Sequence, residues 1–293
     1  MKHKALSFIF ALAVGVTMVY ADNPSGTCGE NLTWTISNDT LYITGSGYMS
    51  SYSNQGPWIS YSPKYVVLSD GVQSIGRRAF AECRFMEKVI ACNGITTIGN
   101  NAFLNCTSLT EFSIPDNVSN VGELAFKGCA NLSSVTFGKN IVDFGKDVFL
   151  NCTRLQNIIW NVKRCNGVCN GWGTSTTTGY DYSTSQSYTY EYLSFDIFQS
   201  IRPFVTTIVI GDSVEQIPMY FCYRMTKLNQ ISIPENIIDI GRGAFEETGI
   251  YNNQDNWEND VLYIGDCLIK AKETLTGNYA IRGGTRIIAD DAF

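Results

Sequence analysis

The chain has 293 residues, with 21 Lys and Arg against 27 Asp and Glu, a formal net charge of -6. An acidic balance provides no basic footprint for nucleic acid and little attraction to anionic membrane surfaces. The one histidine, His3, falls in a leader expected to be removed. The mature chain then lacks the usual base near neutral pH and the commonest metal ligand. Ser-His-Asp, Cys-His and His-based zinc chemistry are excluded, while carboxylate-pair hydrolysis is not.

Residues 1–21 read as a secretory signal peptide. Lys2 and Lys4 make a positive start, Ala5 to Tyr20 are largely apolar, and Val19-Tyr20-Ala21 offers a small-residue cleavage site. That run is shorter than the roughly 20 residues that span a bilayer. No later stretch is long and apolar enough, so no transmembrane segment is expected in the mature chain. The address is secreted or cell surface.

Within 22–64, Leu32-Thr33-Trp34-Thr35-Ile36 and Thr40-Leu41-Tyr42-Ile43-Thr44 alternate apolar and polar residues around Ser37-Asn38-Asp39. The pattern predicts a β-hairpin. With Met49, Trp58 and Tyr61 behind it, the hairpin is the expected N-terminal β cap of a stacked array, whose first unit would otherwise expose apolar surface. Trp34 and Trp58 read as core residues, with a ligand platform as the other possible role.

Regular repeats occupy 65–160. Ile75, Ile98, Val121 and Phe144 recur every 23 residues, and Ile217 and Ile240 resume that spacing. A fixed period of this length means a solenoid. Nine and seven residues before each mark sits an apolar pair: Val66/Leu68, Val89/Ala91, Phe112/Ile114, Val135/Phe137, Ile208/Ile210, Ile231/Ile233 and Tyr279/Ile281. Ile158/Trp160 supplies another. A spacing of two puts both side chains on one strand face, so eight short strands in a parallel ladder are expected. Gly76, Gly99, Gly122, Gly145 and Gly241 follow their marks, which predicts a backbone angle that a Cβ would penalise. Ala-Phe pairs come next (Ala79-Phe80, Ala102-Phe103, Ala125-Phe126, Ala244-Phe245) and read as short helical turns with Phe in the core.

Residues 161–192 interrupt the period with a Tyr/Ser/Gly-rich stretch that reads as a long loop. It holds Cys165, Cys169, Trp172, Tyr180, Tyr182 and Tyr188. Loops carry function more often than scaffold does, so it is either a recognition loop or a tolerated insertion lying on the coils. Further repeats fill 193–293. A β-hairpin insertion lies near 249–278, where Val261–Ile264 and Cys267–Lys270 flank Gly265-Asp266. Asp255 to Asp260 collect acids but lack the spacing and central Gly of a calcium loop. The sequence stops at Ala292-Phe293, inside a repeat, without the C-terminal cap that an exposed last coil normally needs, which reads as a fragment.

Cys83, Cys106, Cys129 and Cys152 share the repeat period and should stack. Strand-stacked Cβ atoms lie about 4.8 Å apart, beyond the roughly 3.8 Å of a disulfide. Buried free thiols are therefore expected there, whereas Cys165 and Cys169 are a candidate bridge. No phosphate-binding loop is present: Gly138-Lys139 and Gly145-Lys146 lack its flanking residues. No carboxylate pair stands outside the repeat pattern, and no metal site or cofactor is expected. The outward strand positions are the candidate binding face: Lys88, Glu111, Ser113, Ser134, Thr136, Asn157, Gln230 and Ser232, with Ile90 and Ile159.

The segment Ile98-Gly99-Asn100-Asn101-Ala102-Phe103-Leu104-Asn105-Cys106-Thr107-Ser108-Leu109, with Phe112, Ile114 and Pro115, resembles the BspA-like leucine-rich repeat family of surface proteins. The lead-in Thr27-Cys28-Gly29-Glu30-Asn31-Leu32-Thr33-Trp34 is similar to that family as well. The Ile217 coil departs from it, with Pro218 for Gly and Phe221-Cys222 for Ala-Phe, and so does a ragged coil at Leu193 with Ile197-Phe198. The resemblance implies an α/β leucine-rich repeat solenoid. It also implies a non-enzymatic adhesin recognising host matrix proteins or other cells through its solenoid face. The competing expectation is a carbohydrate-capturing protein that stacks sugar rings on Trp172, Tyr180, Tyr182 and Tyr188. Either way the partner is an extracellular protein or glycan.

Overall fold

A computed structural model describes residues 23–163, 174–181, 186–193 and 197–293. The chain coils into a solenoid of parallel strands with very little helix. Each coil contributes one strand to a first ladder. That ladder holds Thr40–Gly45, Tyr65–Leu68 and Lys88–Ile90 in one sheet, and Glu111–Ser113, Ser134–Phe137, Asn157–Trp160, Thr207–Ile210 and Gln230–Ser232 in another. A second ladder is built from the register marks. Val72–Ile75, Thr97–Ile98, Asn120–Val121 and Asp143–Phe144 pair in parallel, and Gln216–Ile217 pairs with Asp239–Ile240. The apolar pairs and the marks line the interior between them, and most are under a tenth exposed.

The Ala-Phe segments form a third ladder instead of helical turns. Alternate amides reach across to the next coil: the Arg78, Phe80 and Glu82 N–H groups donate to the Asn100, Ala102 and Leu104 carbonyls at 3.1, 2.8 and 2.7 Å. The amides between them close tight turns, as Ala79 does to Gly76 and Ala81 to Arg78. Two residues per coil adopt positive φ, for example Arg78 and Glu82, Asn101 and Asn105, and Asp147 and Asn151. A left-handed residue every fourth position stops α-helix propagation. Among the described residues the one α-helix is Gly249–Asn252.

Inside this third ladder the Phe side chains stack. Phe80, Phe103, Phe126 and Phe149 follow one another at centroid distances of 5.3, 5.0 and 5.5 Å with nearly parallel planes. Trp58 heads the column, 5.4 Å from Phe80, and Trp34 meets Trp58 edge-on. Trp34 and Trp58 are both buried, so they are core residues and not ligand platforms. Each fully buried aromatic contributes roughly 1.5–3 kcal/mol from burial alone.

The glycines after the marks serve close approach, not positive φ. A Cβ on Gly76 would lie 2.0 Å from the Ser50 carbonyl oxygen, and one on Gly145 would lie 2.0 Å from the Glu123 nitrogen. Their φ angles fall outside the left-handed range, so the constraint is the backbone of the preceding coil.

Three strands lie at the N-terminal end of the described chain. Ser25–Thr27, Leu32–Ser37 and Thr40–Gly45 run antiparallel, and the last pairs in parallel with Tyr65–Leu68. Leu32, Trp34 and Ile36 face the common core. At the other end Val261–Ile264 and Cys267–Ala271 form a hairpin, and Cys267 and Leu268 pair in parallel with Ile287 and Ile288. Arg286 ties this unit to the preceding coil. It binds Asp266 at 2.9 and 3.2 Å and donates to the Pro234, Glu235 and Ile237 carbonyls. The acids nearby are paired with bases, Asp260 with Lys272 at 2.9 Å and Glu258 with Arg282 at 3.4 Å.

One expectation fails here. Tyr279 and Ile281 form no strand, and the hairpin strand Thr40–Gly45 supplies the eighth member of the first ladder instead. Ile288 is exposed, while its neighbours Ile287 and Ala289 are buried. Pairing of Ile287 with the inserted hairpin turns the odd-numbered positions inward, and strand alternation then sends Ile288 out.

The insertion is also not simply a loop. Thr174–Asp181 and Gln186–Leu193 pair antiparallel over their full length. Thr and Tyr dominate both strands and suit a pleated ribbon.

Candidate binding surfaces

The first ladder places its outward residues in two rows, each fixed by strand register. One row runs Thr35, Tyr42, Val67, Ile90 on the N-terminal sheet and Ser113, Thr136, Ile159, Val209, Ser232 on the next. The other runs Thr40, Tyr65, Lys88 and then Glu111, Ser134, Asn157, Thr207, Gln230. The eight solenoid candidates from the sequence all fall in these rows. The ladder pairing stops between Lys88–Ile90 and Glu111–Ser113, where Lys88 Nζ lies 3.1 Å from Glu111 Oε1. Both partners are more than half exposed, so that pair contributes at most about 1 kcal/mol. The middle of the face is small and hydroxyl-rich, and the Thr207 hydroxyl meets Gln230 Oε1 at 3.4 Å.

The N-terminal end differs in character. Tyr42, Tyr65 and Ile90 are 41%, 42% and 55% exposed, with Val67 half-buried between them. The Tyr65 hydroxyl donates to Glu87 at 3.3 Å. Of this aromatic and aliphatic end the repeat pattern selects Ile90, but not Tyr42, Tyr65 or Val67. The available signal was the alternation of Thr40–Thr44, which puts Tyr42 opposite to the inward Leu41 and Ile43.

The insertion candidates divide. Trp172, Tyr182, Cys165 and Cys169 lie outside the described residues. Tyr180 and Tyr188 lie in the two ribbon strands, where they pair with Ser187 and Gly179.

Cys83, Cys106, Cys129 and Cys152 are buried free thiols. Each of the last three donates to a Phe carbonyl of the coil before: Cys106 to Phe80 at 3.0 Å, Cys129 to Phe103 at 3.2 Å and Cys152 to Phe126 at 3.1 Å. Burial raises the Cys83 thiol to about 12 and the Cys28 and Cys267 thiols to about 11, and it pushes Cys106, Cys129 and Cys222 upward too. A thiolate is the reactive form, so these cysteines are structural.

The same shifts set a pH dependence. A thiol held neutral in the fold but ordinary when unfolded, with a value of 9.0, favours folding fully below that pH. Above it the unfolded chain sheds protons that the folded chain keeps, and stability falls as pH rises towards 11–12. The urea midpoint is expected to stay flat from about pH 6 to 8 and to drop steadily from about pH 9. Thiol-reagent counting in native protein at pH 8 should leave these positions unmodified, with full reaction after denaturation. Rapid native labelling of the column would refute the assignment.

Among the described residues no three of His, Cys, Asp and Glu are grouped so as to hold a metal, and no helix is long and apolar enough to cross a membrane.

Parallel ladders stepping by 23 residues, with an inward Phe in the coils from Phe80 to Phe245 and a buried Cys three residues beyond it in four of them, define a leucine-rich repeat solenoid. The chain belongs to the BspA type leucine rich repeat family, whose pattern matches residues 60–166 and 185–293 in six copies. Among solved structures it is similar to a leucine rich repeat protein of T. pallidum, at 19% identity, covering 78% of this chain and 91% of that one with a TM-score of 0.43. It is also similar to a leucine-rich repeat protein of Eubacterium ventriosum, at 16% identity, covering 91% and 68% with a TM-score of 0.39. A third likeness is to the pneumococcal vaccine antigen PcpA, at 11% identity, covering 77% and 74% with a TM-score of 0.26. No curated protein matches the chain.

Proposed function

We propose that this protein is a secreted or surface-exposed, non-enzymatic adhesin that binds an extracellular protein through the outward rows of its first ladder. Family membership supports a binding role at the surface, and the leader-like residues 1–21 support export. The observation that carries the reading is the graded face itself. A hydroxyl-rich face with few charges ends in the exposed group Tyr42, Tyr65 and Ile90. Protein interfaces concentrate their energy in a few aromatic anchors ringed by near-neutral polar contacts. The N-terminal hairpin, acting as a cap, would keep that end rigid.

The test is binding of the purified chain to immobilised extracellular-matrix proteins. Tyr42→Ala with Ile90→Ala is expected to weaken binding at least tenfold, about 1.4 kcal/mol or more. Ser113→Ala with Thr136→Ala should change it less than threefold. Both pairs project outward, so melting temperatures should hold. Equal binding by the Tyr42/Ile90 variant would exclude this face.

A further inference from the structure

We infer a second binding site at the open edge of the first ladder, where the strand Gln230–Ser232 receives an extended peptide segment of alternating apolar residues that also carries a lysine or arginine. The first ladder ends at this strand, although residues 233–293 follow it. Earlier coils pair onward. The Ser133 amide donates to the Thr110 carbonyl at 2.8 Å and the Asn229 amide to the Thr206 carbonyl at 3.1 Å, and each of these bonds opens a paired strand. The next member of the series is Asn252, 23 residues after Asn229. It turns back instead. Its amide donates to the Thr248 carbonyl at 2.9 Å, in the short helix Gly249–Asn252. No described strand then pairs with the far side of Gln230–Ser232.

Ile231 and Ile233 hold the inward positions that Ile208 and Ile210 fill one coil earlier. Those two are 0% and 3% exposed, whereas Ile231 and Ile233 are only half-buried. Apolar side chains laid beside them complete their cover. The main chain is open as well. In an inner coil the Ile114 amide donates to the Thr136 carbonyl of the following coil at 2.9 Å. Ile233 holds the same place in its own coil, and no following described strand meets it. Strand addition draws its affinity from such main-chain bonds and its selectivity from the side-chain sites beside them. Here the neighbouring site is an open depression lined by Asp212, Ile233, Pro234, Glu235 and Asn236. Asp212 and Glu235 are exposed and form no ion pair among the described residues. Arg286 lies near Glu235, but its guanidinium is matched by Asp266 at 2.9 Å and donates to main-chain carbonyls. The two carboxylates therefore attract a cationic residue two positions beyond the apolar pair of a strand added in parallel, and they repel an acidic one. The same charges, with Pro234, discourage edge-to-edge pairing with another copy of this acidic chain.

The experiment is fluorescence anisotropy of the full chain with a labelled probe peptide, three threonine–valine pairs followed by two lysines. Saturable binding is expected, with slowed hydrogen exchange in residues 229–235. Replacing both lysines by glutamate should weaken binding roughly tenfold or more. Two further peptides carry N-methyl groups on the threonine amides or on the valine amides. At least one of them should lose roughly tenfold, because one alternate set of amides faces the ladder. Asp212→Asn with Glu235→Gln should bring the lysine and glutamate peptides within about threefold of each other. Tyr42→Ala with Ile90→Ala, at the other end of the ladder, should bind the probe as the parent does. Thermal melts check that each variant retains the solenoid. Absence of saturable binding, full binding by both N-methylated peptides, equal binding of the glutamate peptide to the parent, or protection confined to other residues would each overturn the proposal. The matrix-protein assay reads the opposite end of the ladder, so failure of that surface is distinguishable from failure of this edge.

Discussion

Phe126→Ala is expected to lower the free energy of unfolding by about 3–5 kcal/mol, the usual cost of deleting a buried phenyl ring. Phe126 is fully buried and sits at the middle of the aromatic column. Its ring lies 5.0 Å from Phe103, 5.5 Å from Phe149 and 4.9 Å from Phe112. The cavity cannot close easily. The backbone on one side is held by the Phe126 amide bonded to the Val148 carbonyl at 2.9 Å, and on the other by the Phe103 amide bonded to Ala125 at 2.7 Å. Sites that relax little sit at the upper end of the range. Stacked repeats are stabilised by nearest-neighbour interfaces, so the loss should also broaden the urea transition as the two sides uncouple. A loss below about 1 kcal/mol would mean that the column is not a shared core.

Gly145→Ala is the second large effect, about 3 kcal/mol, at the upper end of what overpacking costs. The added Cβ would stand 2.0 Å from the Glu123 nitrogen and 2.4 Å from its Cα. Both contacts are backbone, so no side chain can swing away. Relief requires the coils to part, and that strains the bond from the Gly145 amide to the Val121 carbonyl. Gly283→Ala makes the comparison. Nothing lies within 4 Å of its Cβ position and its φ is not left-handed. A neutral or slightly stabilising change of up to about 1 kcal/mol is expected there from reduced chain entropy. Equal melting temperatures for the two variants would remove the close-approach explanation for the glycine column.

These glycines show where the sequence was legible and where it was not. Their period marked the coils, because a repeating contact imposes a repeating residue. The reason for them was hidden, because a glycine required by positive φ and one required by a neighbouring backbone look the same in one sequence. The Ala-Phe turns misled in the same way. Arg78, Leu124 and Tyr220 are poor residues for positive φ, yet each adopts it. The inter-coil bonds of the third ladder impose that conformation, and they are invisible to local preference.

The candidate binding face divides along the same line. Glu111, Ser134 and Asn157 could be found because strand alternation fixes them once the inward pairs are known. Tyr42 belongs to the hairpin, which has no period, and its alignment with Val67 and Ile90 depends on a parallel pairing across unlike segments. The eighth strand failed for a related reason. The last coil pairs with the inserted hairpin, through Cys267 and Leu268 against Ile287 and Ile288, and no period foretells that pairing.

The joint across the insertion has a consequence for how the chain assembles as it is synthesised. Elsewhere a coil closes on its predecessor over about 23 residues, as the Ser133 amide does on the Thr110 carbonyl. At the joint Thr206 must find Gln156, 50 residues back. Doubling the span adds only about 0.6 kcal/mol of closure entropy, so the finished molecule loses little by it. The order of events is affected more. The first block of coils emerges complete before its continuation is available, and contacts with short separations form soonest. Zippering is expected to pause at residue 160 and to restart when Thr207–Ile210 arrives, which makes the edge of Asn157–Trp160 the part of the nascent chain most in need of shelter from pairing with a neighbouring molecule.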